Sequence, residues 1–149
     1  MIMPDVNVLV YAAREDCAHH AEYRAWLTGV MRGGEAVGLS ELVLSGVVRV
    51  LTHPRVFDPP MPVASALAYV HALRAQPRAV AVRPGERHWS LFSALCREGD
   101  ARGNLVADAY HAALAIEVGA EFVTTDRDFA RFPGLRWRLP FAAPQPPFE

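Results

Sequence analysis

The chain of 149 residues contains no lysine: all fifteen of its basic residues are arginine. The bias looks like a coding preference, but it removes every mechanism that needs a catalytic lysine. Cysteine is scarce too. Cys17 and Cys96 stand far apart without metal-ligand spacing, which argues against a thiolate metal site and fits reduced thiols in a cytoplasmic protein. Charge of either sign is not in excess. The net charge is −1 and the pI about 6.6, so the chain is no polycation, and any RNA or DNA contact must be a local patch. No apolar run approaches the roughly 20 residues of a membrane span, and the start, MIMPDVNVLVYAARED, lacks the basic leader and apolar core of a signal peptide. No membrane association and a cytoplasmic location are therefore expected. Repeats and low-complexity segments are missing as well.

What is present is one domain's worth of core. With 52% hydrophobic content, 149 residues bury about two thirds of the surface of the unfolded chain. The pattern alternates short apolar runs with helical periodicity. Ile2-Met3 reads as a very short strand ended by Pro4-Asp5, followed by a helix with Asn7 as its N-cap. His19 to Met31 is an amphipathic helix closed by Gly33-Gly34, and Ala36 to Leu39 a second strand. Ser40 caps a helix from Glu41 to about Leu51, which stops before Pro54. Beyond a proline-rich loop, Arg55 to Pro62, come a helix over Val63 to Ala75, a strand over Ala79 to Val82 and a helix over Glu86 to Arg97. Asn104 onward has helical periodicity up to a Gly119 stop. Phe122-Val123-Thr124-Thr125 is then a strand, and Arg136 to Leu139 a short edge strand. This alternation predicts a single α/β domain over residues 1–141, with a mainly parallel sheet of four to five strands flanked by helices. Residues 142–149, AAPQPPFE, read as an irregular proline-rich tail.

Ligands in such sheets collect outside the carboxyl ends of the strands. Asp5, Glu41 and Asp126 fall just beyond three strand ends, and Asp108 lies one to two turns into a helix that can lean over the same edge. Four carboxylates brought together repel one another unless a cation joins them or some are protonated. Hard oxygen donors without histidine or cysteine suit Mg²⁺ or Mn²⁺. Such ions polarise phosphoryl oxygens and activate water for in-line attack on a phosphodiester. Bland readings compete: Asp5 as a turn or cap residue, Asp126 as an Asx-turn former with Asp128, and Glu41 as a carboxylate favoured by the helix dipole. Arg49, His53, Arg55, Arg127 and Arg131 would meet RNA phosphates or merely solubilise. His111, one turn from Asp108, reaches the crevice or makes a structural hydrogen bond.

PDVNVLVYA near the start, with its Asp5-Val6-Asn7, and DAYHAALAIEVGAEFVTTDRDF near the end resemble the PIN-domain ribonucleases, in particular the VapC-type toxins of bacterial toxin–antitoxin pairs. SGVVRVLTHPRVF, Ser45 to Phe57, is similar to a subgroup of them. The resemblance implies a PIN fold, Mg²⁺- or Mn²⁺-dependent endoribonuclease activity on an RNA substrate, a homodimer, and inhibition by a VapB-like antitoxin. It makes Asp5, Asp108 and Asp126 metal-binding acids, Asn7 and Thr124 groups that orient them by hydrogen bonds, and Asp128 an auxiliary acid. The family often places a further glutamate six residues after a serine like Ser40, where this chain has Gly46. Glu41 on the same helix is the substitute, although five residues turn it about 140° from the expected face. Two rivals remain: a degenerate PIN module that binds RNA or a partner without cleavage, and a metal-dependent phosphatase. Against the latter, haloacid-dehalogenase-like phosphatases want Asp-x-Asp after the first strand and Asn7 takes the second place, while receiver domains want a lysine.

Overall fold

The computed structural model describes residues 1–141, so the expected proline-rich tail, 142–149, lies outside the described residues. In chain order the elements are β1 (Ile2–Pro4), α1 (Val6–Ala13), α2 (His20–Arg32), β2 (Val37–Ser40), α3 (Glu41–Leu51), α4 (Val63–Arg74), β3 (Ala79–Val82), α5 (His88–Glu98), α6 (Asn104–Val118), β4 (Glu121–Val123) and β5 (Trp137–Arg138). A 3₁₀ turn, Arg127–Arg131, follows β4. All five strands are parallel, in the order β3-β2-β1-β4-β5. The expected mainly parallel α/β architecture is what is found.

Side-chain alternation along the short strands divides the core between the two faces of the sheet. Ile2, Val37, Leu39 and Val123 point into a layer built with Leu9, Leu27, Val43, Val47, Leu51 and Val70 from α1 to α4. Met3, Val82 and Phe122 point the other way, onto α5 and α6 and onto Phe129 and Phe132. α6 is alanine-rich on its inner face: Ala109, Ala112, Ala113 and Ala115 are fully buried, and such small side chains let its backbone lie close to the sheet and to α5. Its end is local chemistry. Gly119 adopts φ 68° at the C-cap, a left-handed conformation that costs glycine little.

The topology selects one place on this sheet. The chain steps from β1 outward to β2 and β3, then α5 and α6 carry it back across so that β4 pairs with the other side of β1. The strand order reverses between β1 and β4, and a crevice opens at their carboxyl ends. Asp5 follows β1 and Asp126 follows shortly after β4, one on each side of the reversal.

Helix starts differ from expectation at one informative position. Asp5, not Asn7, is the N-cap of α1: its Oδ1 accepts from Val6 N at 2.7 Å. Proline at position 4 ends β1, and the next residue with a short acceptor side chain takes the cap. At α3 the expected cap is present, with Ser40 Oγ accepting from Val43 N at 3.1 Å in a buried setting. Ser40→Ala should therefore cost about 1 kcal/mol and lower the melting temperature by roughly 2–4 °C, as measured by thermal denaturation followed by circular dichroism.

Candidate active site

The crevice at the strand reversal is a cleft of about 400 Å³, and Asp5, Asn7, Asp108, His111 and Asp126 all line it. Each acid is positioned by a different local device. Asp5 is held by the end of β1, where its N–H donates to Val123 O of β4 at 2.8 Å. Asp126 is the N-cap of the 3₁₀ turn, its Oδ1 accepting from Asp128 N at 2.8 Å. Asp108 projects from the second turn of α6. The cap and Asx-turn readings of Asp5 and Asp126 therefore hold together with their place in the cleft, since a carboxylate has about four acceptor positions and a cap uses one.

Thr124 ties two of these acids together. It is fully buried, donates from Oγ1 to Asp5 Oδ2 at 2.6 Å, and accepts from Asp126 N at 3.0 Å. One hydroxyl thus orients the Asp5 carboxyl and fixes the backbone that presents Asp126. Asp5 is buried, and that desolvation pushes its pKa up, against the lowering effect of the bonds from Thr124 and Val6 and with a further push from the charge of Asp126. Asp108, half-buried, is raised to about 6, first by desolvation and then by the charges of Asp5, Asp126 and Asp128, with Arg131 opposing. These carboxylates feel one another's charge and are short of positive partners.

Not every predicted residue arrives here. Glu41 is 70% exposed and its Oε1 lies 3.6 Å from Arg83 Nη2, beyond the end of β3. This corrects its assignment beside the other acids: β2 lies one strand away from the reversal, and the first residue of α3 faces outward towards β3. Gly46, where the resemblance would place a further acid, packs against Val6, which lines the cleft. A Cβ on Gly46 would come within 2.9 Å of Val6 Cγ2, next to Asp5, and the Val6 side chain fills that space. Asn7 lines the cleft, but among the described residues its buried Oδ1 has no hydrogen-bond partner, so no orienting bond from it to the acids is seen. Asp128 is exposed, with its carboxylate 4.0 Å from Arg131. Of the predicted RNA-facing residues, Arg49 lines the cleft. His53 Nδ1 accepts instead from Arg55 N, Arg55 is exposed, and Arg127 lines a neighbouring hollow with Thr125 and Phe141.

His111 resolves its two readings towards the crevice. It is 6% exposed, its ring lies nearly parallel to Phe122 with centroids 6.2 Å apart, and its Nδ1 has no hydrogen-bond partner among the described residues. Burial lowers its pKa to about 4, so it is neutral at pH 7. Asn104 and the apolar residues Tyr11, Val50, Val56 and Phe57 also line the cleft. Sequence reasoning did not single them out, because an isolated asparagine at a helix start and apolar side chains carry no chemical signal until the fold sets them beside the acids.

The donor set, carboxylate oxygens crowded into one cleft, has the chemistry that Mg²⁺ or Mn²⁺ prefers. Among the described residues, no three His, Cys, Asp or Glu side chains stand close enough together to close around an ion as they are arranged. Two predictions follow from the electrostatics. Thr124→Val keeps the shape but strips a hydrogen bond from a buried carboxylate, and should cost about 1.5–3 kcal/mol at pH 7 in urea denaturation. Because the raised pKa of Asp108 makes the folded form hold its proton more tightly than the unfolded form, stability from this group is complete below about pH 4 and is lost as pH rises through about 6. Asp108→Asn should therefore gain in melting temperature over the unsubstituted metal-free protein as pH rises from 4 to 6.5; a difference independent of pH would contradict this.

Comparison with known proteins agrees with the geometry. The PIN domain family model matches residues 2–135. Ribonuclease VapC43 of Mycobacterium tuberculosis is 49% identical over 140 residues, covering 94% of this chain and 95% of that protein. Ribonuclease VapC25 of the same organism is 40% identical over 136 residues, covering 91% and 96%. Among solved structures, the VapBC2 complex of Rickettsia felis bound to a promoter DNA fragment contains a chain that superposes with a TM-score of 0.70 at 19% identity, covering 93% of this chain and 98% of that one. Sequence match and fold together show that this chain belongs to the PIN-domain family, among its VapC members.

Proposed function

We propose that the protein is a divalent-metal-dependent endoribonuclease, a VapC-type toxin that acts as a homodimer and is neutralised by a VapB-like antitoxin. The observation that carries the reading is the linkage of Asp5 and Asp126 through Thr124, with Asp108 in the same cleft at the strand reversal. The names of the relatives, ribonucleases of the VapC group, support RNA as substrate, and the VapB–VapC pairing of a structural neighbour supports the antitoxin.

In this reading Asp5, Asp108 and Asp126 would hold Mg²⁺ or Mn²⁺, without Glu41. When bound, the ion supplies charge for the phosphoryl oxygens and lowers the pKa of a water for in-line attack. The chain's own residues do the rest. Thr124 keeps the Asp5 carboxyl oriented, and its hydrogen bond favours the ionised form against the desolvation that raises the pKa. Arg49, exposed at the cleft, meets a phosphate of the RNA. His111, neutral and unpartnered, offers a hydrogen bond without adding charge.

One observation favours a second reading. The family's further acid is missing at Gly46, and Glu41 stands away from the cleft, which keeps open a module that binds RNA without cutting it. Incubating purified protein with single-stranded RNA and Mn²⁺ separates the two. Cleavage is expected, abolished by chelator and reduced about a hundredfold or more in Asp5→Asn, whereas Glu41→Gln should stay within about twofold of the unsubstituted rate. Binding of RNA without cleavage at millimolar Mn²⁺ would favour the non-cutting module, and rapid turnover of a generic phosphate monoester would favour a phosphatase.

A further inference from the structure

The acids share their cleft with apolar side chains. α1 carries Asn7, Val10 and Tyr11 at spacings of three and four, and Arg14 follows at its C-cap. Tyr11, Val50, Val56 and Phe57 line the same cleft as the acids. That wall is ordered. The N–H groups of Val56 and Phe57 donate to His53 O at 3.0 and 3.1 Å, and the Arg14 guanidinium lies 4.2 Å from the centre of the Phe57 ring. Arg14 is itself tied down by Asp16 and by a bond to Pro59 O at 3.2 Å. Val56 is nonetheless 53% exposed, an apolar side chain held out at the mouth. Arg49 also lines the cleft and takes part in no ion pair among the described residues.

We propose that this apolar lining is a nucleobase subsite, in which the base of a nucleotide whose phosphate lies at the acids packs against Phe57, Val56 and Tyr11. The proposal rests on the endoribonuclease reading and deepens it. The occupant must combine a flat apolar group with an anion: the wall takes the first, and Arg49, free of acidic partners, takes the second. A nucleotide has both within one unit, and a cleft of about 400 Å³ lies in the range of small-ligand sites. A peptide would have to set an acidic side chain at Arg49 in a cleft that three carboxylates also line. Stacking on aromatic rings is how proteins hold unpaired RNA bases, so the nucleotide at this position must be unpaired.

The test reads binding without cleavage. Adenosine and uridine 5′-monophosphates, and ribose 5-phosphate as the base-free control, are titrated into the full-length protein with Mg²⁺ and followed by heteronuclear NMR. The nucleotides should move the signals of Tyr11, Val56 and Phe57 and bind at least about tenfold more tightly than ribose 5-phosphate. Phe57→Ala should erase that preference. Val56→Glu, at an exposed position that leaves the fold intact, should erase it as well. Equal binding of all three probes, or wall signals unmoved at saturation, would overturn the proposal, as would wall signals that respond only to a protein partner. Failure of the subsite and failure of the nuclease reading are separable. RNA cleavage with silent wall signals removes the subsite alone, and base-dependent shifts without cleavage remove the nuclease alone while upholding the subsite.

Discussion

The site depends on one hydrogen bond, from Thr124 Oγ1 to Asp5 Oδ2, made across 119 residues of sequence in a buried setting. A carboxylate beneath the surface of a protein tends to take up a proton, and Asp5 is pushed that way by its burial. A hydroxyl held at 2.6 Å favours the ionised form and fixes its orientation, and because the same oxygen accepts from Asp126 N, the second acid is placed by the first. The geometry exists only because β1 and β4 are neighbours in register, with Pro4 opposite Val123, so that Asp5 and Thr124 leave the sheet side by side.

Around that bond the protein tolerates an arrangement that does not favour its own stability. Asp108 is half-buried and feels the charges of Asp5, Asp126 and Asp128, with Arg131 as its opposing charge, and desolvation above all raises its pKa to about 6. His111 and Asn7, in the same cleft, each leave a buried polar atom without a partner among the described residues. Unsatisfied polar atoms and mutually repelling carboxylates cost folding free energy, and here they are concentrated in one crevice. The alanine-rich inner face of α6 and the two apolar layers carry the stability that offsets this cost.

Much of the architecture was legible in local pattern. Ser40 as a helix cap, Gly119 as a helix stop and Ala79 to Val82 as a strand are decided within a few residues, by capping geometry, by the left-handed conformation and by strand composition, and each is found where expected. The position of Asp5 at a strand end was legible for the same reason, although its role as the α1 cap had been given to Asn7. Glu41 shows where such reasoning stops. Its place beyond a strand end was read correctly, but a strand end gives no direction, and the first residue of α3 turns to Arg83 and away from the reversal.

By itself the sequence determined the alternation of strands and helices, the parallel α/β class, and the presence of Asp5, Asp108 and Asp126 at positions able to meet, because periodicity, capping and turn chemistry act over a few residues. Only the tertiary structure decided which acids share one cleft, that Gly46 packs against Val6, and that Tyr11, Val56, Phe57 and Arg49 line the same cleft. Those outcomes depend on the order of strands in the sheet and on a loop folded over a distant helix. Contacts between residues far apart in sequence are set by the packing of whole elements, and no local pattern records them.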